Sequence, residues 1–161
     1  MKFLPLLGKK LKDDEVIEIL EGLDMDVIYE FDRLHEGQPD IYWAAAKSEG
    51  FQFRFDETQQ LEVIYLHIAP DDGYAAVSQH NCDITFFASK QEVETFCEAQ
   101  HLQVAKGRGD FFGVSREWVR LGFASYSIHY EFHTDSLALV TISRTGGQPP
   151  NTALEPTPTA P

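Results

Sequence analysis

The sequence predicts an α+β domain, internally duplicated, in which two units of one helix plus an antiparallel hairpin are related by a pseudo-two-fold and the helices pack on antiparallel sheet. Three observations predict it. Two short runs carry helical apolar spacing, two longer runs alternate with period two, and a shift of 77 residues superposes Glu15 on Glu92, Val16 on Val93, Glu21 on Glu98, Phe53 on Tyr130 and Phe55 on Phe132. The domain is expected over residues 1–144, with repeat halves at about 4–68 and 80–143.

From Asp13 to Leu23, Val16, Ile17, Leu20 and Leu23 fall on one helical face and Asp14, Glu18 and Glu21 on the other, with Asp13 placed as an N-cap. A second helix starts at the capping box Ser89-Lys90-Gln91-Glu92, and Val93, Phe96 and Cys97 supply its apolar stripe. Phe51, Phe53 and Phe55 alternate with Gln52, Arg54 and Asp56, the signature of a strand with one wet face, and a turn leads into Leu61–Ile68, apolar on both faces. Tyr126, Ile128, Tyr130 and Phe132 alternate in the same way before a turn and the doubly apolar Leu137–Ile142. Trp43 and Trp118 are expected in further strands of one or two sheets.

Composition narrows the function classes. Lysine and arginine number 13 against 26 acids, a net charge of −13, which disfavours nucleic-acid phosphates and anionic membranes and favours a cationic partner. The two cysteines, Cys82 and Cys97, offer neither a disulfide framework nor a zinc set, which suits a reducing cytoplasm. The opening Met1–Leu7 is apolar but too short and proline-broken for a signal-peptide core, and no run approaches the ~18 apolar residues of a membrane span. Residues 145–161 hold five of the eight prolines and little that is apolar, a composition expected to stay disordered.

Among residues that could carry chemistry, His129, Glu131 and His133 share the polar face of one strand. Neighbours at i and i+4 on a strand are roughly 13 Å apart, too far for both histidines to hold one ion, so a solvated face is expected and no metal or cofactor. Asp71-Asp72-Gly73 reads as turn chemistry, Lys106-Gly-Arg-Gly-Asp110 as a flexible loop, and Cys82 beside His80 and Asp83 as a half-buried thiol rather than a nucleophile. No catalytic residue is assigned. The feature that stands out is acidic: Asp13 to Asp32 contains nine acids and no base.

The layout of Leu6-Leu-Gly-Lys-Lys-Leu-Lys-Asp-Asp-Glu-Val16 before one helix and Phe86-Phe-Ala-Ser-Lys-Gln-Glu-Val93 before another, with hairpins after each, resembles uncharacterised bacterial families that include immunity proteins of polymorphic toxins. The resemblance covers residues from about 4 to 143. It implies a non-enzymatic intracellular binding protein that neutralises a basic toxin, with Asp14, Glu18, Glu21, Asp24, Asp26, Glu30 and Asp32 as the contact surface. Pro150–Pro161 is similar to a peptide that ends many bacterial proteins where a reading frame runs into integron-cassette DNA. Two rival readings accompany this one. A small-molecule-binding cassette protein would use an aromatic pocket of Trp43, Phe53, Trp118 and Tyr130. A hydrolase would use His129, Glu131 and His133 or the Asp71-Asp72 pair.

Overall fold

The structure, a computed structural model, describes residues 1–31, 37–111 and 113–145. Eight strands form one antiparallel sheet: β1 (Val27–Glu30), β2 (Ile41–Ala46), β3 (Phe51–Phe55), β4 (Leu61–His67), β5 (Gln103–Phe111), β6 (Val114–Gly122), β7 (Tyr126–His133) and β8 (Ser136–Arg144). Their spatial order is β1-β2-β3-β4-β8-β7-β6-β5. Six of the seven junctions join strands that are consecutive in the chain. The exception is the seam at which β4 meets β8, with Ile64 opposite Ile142 and Leu66 opposite Val140. Two helices, α1 (Asp14–Gly22) and α2 (Lys90–Gln100), precede β1 and β5.

One face of the sheet carries the core. Alternation turns Phe51, Phe53 and Phe55 of β3, Ile64 and Leu66 of β4, Val140 and Ile142 of β8, Ile128, Tyr130 and Phe132 of β7, and Val119 and Leu121 of β6 into one buried cluster. Val16 of α1 and Val93 and Cys97 of α2 close it from above. Phe3 sets its ring edge-on to Phe51 at 5.3 Å, and Phe87 does the same to Tyr130 at 5.3 Å. Asp83 ties these two coverings together by accepting the N–H groups of Phe3 at 2.8 Å and Leu4 at 3.1 Å.

The helix termini follow local chemistry. The Ser89 hydroxyl accepts from the Glu92 N–H, and the Glu92 carboxylate reaches back to the Ala88 N–H at 2.9 Å, one residue beyond the usual capping box. Asp13 holds the N-cap position of α1, but its carboxylate accepts the Lys10 N–H at 2.8 Å instead of capping the helix.

The expected fold class is corrected. The molecule is mainly a single eight-stranded antiparallel sheet with two short helices, and not a pair of helix-plus-hairpin units. Four strands outside the two expected hairpins complete it. Lys106–Asp110 is the middle of β5 rather than a loop, paired residue for residue with β6 from Gln103 opposite Gly122 to Phe111 opposite Val114. The Pro/Thr-rich stretch lies outside the described residues except for Thr145, whose N–H donates to the Ser125 carbonyl at 2.9 Å. Among the described residues no helix is long and apolar enough to cross a membrane.

The connection after β4 folds back against the sheet at Gly50. A Cβ there would stand 2.4 Å from the Ala75 carbonyl oxygen and 2.6 Å from the Val77 nitrogen, and the residue has φ +78°. Both steric room and backbone conformation demand glycine. Gly50→Ala should destabilise the fold by about 2 kcal/mol or more in urea unfolding, and Phe53→Ala, at a fully buried core position, by about 3–5 kcal/mol.

Candidate functional site

Among the described residues the opposite face of the sheet carries no α-helix, and the cross-strand register sorts its residues into rows. One row runs Trp43, Arg54, Val63, Ser143, Ser127, Gly122, Gln103. The next runs Ala45, Gln52, Tyr65, Thr141, His129, Arg120, Ala105, and a third His67, Leu139, Glu131, Trp118, Gly107. Polar groups dominate at its middle. Thr141 and Ser143 are nonetheless almost inaccessible, at 8% and 9% exposure.

Each large side chain here is fixed by a neighbour. Trp43 lies 6.0 Å from the Tyr65 ring and donates its indole N–H to Glu30 at 2.9 Å. Trp118 lies flat over Gly107, where a Cβ would come within 2.6 Å of the indole, and meets His129 edge-on at 5.2 Å. His67 stacks on Tyr74 at 4.0 Å, and the Tyr74 hydroxyl donates to Gln52 at 2.5 Å. Glu131 is held between His133 at 2.6 Å and Arg116 at 3.2 Å. Arg54 faces Glu62 at 3.5 Å.

Burial sets the protonation states. It pushes His129 and His67 below the ordinary histidine value, the carboxylate of Glu131 and those of Asp71 and Asp72 opposing it only in part, so both rings are neutral at pH 7. Their Nε2 atoms are buried without a hydrogen-bond partner among the described residues. Burial raises the Cys82 thiol, which keeps it protonated, and its sulfur accepts the Ile84 N–H at 3.4 Å. That is a packed thiol and a poor nucleophile.

The residues singled out from the sequence scatter over this frame. Trp43 and Trp118 share the helix-free face but sit on β2 and β6, five strand spacings apart or about 24 Å. Phe53 and Tyr130 point to the other face and are 0% and 2% exposed in the core. The four form no common pocket. His129 packs on Trp118 while His133 pairs with Glu131, and no group of three potential ligands able to hold a metal occurs among the described residues. Asp71 and Asp72 lie in an exposed turn closed by the Tyr74 N–H to the Asp71 carbonyl at 2.8 Å.

The acidic residues singled out as a contact surface are exposed wherever they lie among the described residues. Asp14, Glu18 and Glu21 line the outer side of α1, and Asp24, Asp26 and Glu30 continue onto β1, all exposed; Asp32 lies outside the described residues. Reading the sequence missed the apolar edge of β1, too short to signal a strand. On the helix-free face it missed Tyr65 and His67, whose alternation was masked by the apolar residues of β4 on its other face.

Comparison of the chain with protein-family models, with curated proteins and with solved structures gives no match.

The neutral histidines predict a pH response. On unfolding, His129 recovers an ordinary value near 6.5, so below that pH the unfolded chain takes up a proton that the folded chain resists. Stability is therefore full above pH 6.5 and falls as the solution is acidified. His129→Gln should flatten the fall in melting temperature between pH 7 and 5.5, read by calorimetry against the parent protein.

Proposed function

We propose that the chain is a non-enzymatic binding protein of the immunity type, which holds a basic polypeptide against the acidic surface of α1 and β1. The observation that carries this reading is the state of β1. Among the described residues it is an edge strand with one neighbour, and its residues are open to solvent: Val27 41%, Ile28 63% and Tyr29 48% exposed, followed by Phe31 at 48%. Exposed apolar edges invite another strand, and soluble proteins ordinarily blunt them with lysine, proline or a covering segment.

Here the flanks are acidic instead. Asp24 and Asp26 precede the strand and Glu30 ends it, and the exposed carboxylates of α1 lie just before them in the chain. Long-range attraction would steer a basic chain to this side, and short-range contact with Ile28 and Tyr29 would hold it. An extended basic segment added along β1 satisfies both the open backbone edge and the charge. Tyr29 is already ordered for such a role. Its hydroxyl donates to Asp40 at 2.5 Å, which lifts its pKa to about 12 and keeps it a neutral aromatic surface across the physiological range.

The test is capture of the partner from native cells, its purification, and calorimetric titration at low and moderate salt. Reversal of Glu18, Glu21 and Asp24 to lysine should weaken binding at least tenfold and flatten its salt dependence. Ile28→Asp should weaken it while leaving the melting temperature unchanged, since that side chain is exposed. A purified partner that is acidic, or one bound equally well by the charge-reversed protein, overturns the reading.

A further inference from the structure

On the half of the sheet remote from β1, where β5 and β7 begin and β6 and β8 finish, an open cleft gathers side chains from both faces: Arg120, Ser127 and Ser143 from the helix-free one, Phe123 and Tyr126 from the core side. The row Ser143, Ser127, Gly122 runs across β8, β7 and β6 at about 4.8 Å per strand, and these small residues line the cleft together with Arg120 of the adjacent row. The cleft measures about 690 Å³. That lies within the range of small-molecule sites. Gln103 and Leu102 bound it on one side, and Phe123 and Tyr126, stacked at 4.6 Å, form an aromatic wall.

Its chemistry differs from that of the rest of the molecule. In a chain of net charge −13, no carboxylate among the described residues lines this cleft. Arg120, Gln103, Ser127 and Ser143 bring a guanidinium, an amide and two hydroxyls to it, all able to donate to an anion. Arg144 also borders it, but its guanidinium is turned away to Gln60 and Asp56. Arg120 is exposed and forms no ion pair among the described residues, unlike Arg54, Arg108, Arg116 and Arg144. The cation of the cleft is unspent.

We propose that this cleft binds a small phosphate monoester, its phosphate on Arg120 and the serine hydroxyls of β7 and β8 and its apolar part along Phe123 and Tyr126. A guanidinium offers paired N–H donors that match phosphate oxygens, and the hydroxyls complete the shell. The site is separate from the acidic edge, on the opposite half of the sheet, and does not depend on the protein-binding reading.

The experiment is nitrogen–proton chemical-shift titration of the full chain with inorganic phosphate, phenyl phosphate and phenol. Phosphate and phenyl phosphate should shift the amides of Gly122, Ser127 and Ser143 in a saturable way, phenyl phosphate also those of Phe123 and Tyr126 and at lower concentration. Arg120→Gln, a surface change, should weaken both by at least tenfold, and Arg120→Lys should restore part of the loss. Three results overturn the proposal: an unchanged response in the glutamine variant, shifts centred on surface lysines instead of the cleft, or phenol acting as well as phenyl phosphate.

Discussion

The seam between β4 and β8 is the constraint on which the rest of the structure depends. It is the one junction that joins strands distant in the chain, pairing Val63–His67 with Leu139–Ser143, and without it the sheet would be two separate four-stranded meanders. Each meander alone would expose one long edge. Val63, Ile64 and Leu66 are fully buried because β8 lies alongside them and because each face of the seam is covered, by the helices on one side and by the packed polar row on the other. Burying strands on both faces at the centre lets the outer strands be half wet, which is why β1 and β5 tolerate so many exposed residues.

The helices follow from the same geometry. A sheet this wide needs cover on at least one face, and α1 and α2 supply it with few residues: Val16 from one, Val93 and Cys97 from the other. Their remaining surface is free to carry charge. On α1, among the described residues, only Glu15 has a counter-ion, Lys9 at 2.9 Å, whereas α2 spends Glu94 on Lys106 and Lys90 on Glu117 to anchor itself to β5 and β6. One helix is electrostatically tied down and the other faces outward.

Strands with strong alternation could be read from the sequence. Phe51–Phe55 and Tyr126–His133 stand where their period-two patterns put them, and the doubly apolar runs that follow them are β4 and β8, the latter extended at both ends to Ser136–Arg144. The rest was hidden for physical reasons. β1 has four residues, and β2 contains three consecutive alanines with no strand preference. β5 carries glycines at 107 and 109 that read as a loop, yet pairing with nine residues of β6 and the indole of Trp118 over Gly107 hold it extended. Site residues fared likewise. The alternation that revealed β3 and β7 already places Phe53 and Tyr130 on the dry face, but uniting Ser143, Ser127 and Gly122 in one row requires the register of three strands, which no local pattern encodes.

The seam also has a consequence in time. During synthesis β4 is complete roughly seventy residues before its partner β8 exists, and formation of the central pair waits on that late strand. Until then a strand apolar on both faces is an open edge on a nascent chain, the kind of surface that chaperones recognise and that aggregates when they are scarce. The edge stays open for as long as residues 68 to 136 take to be made, so slower translation of that stretch lengthens its exposure.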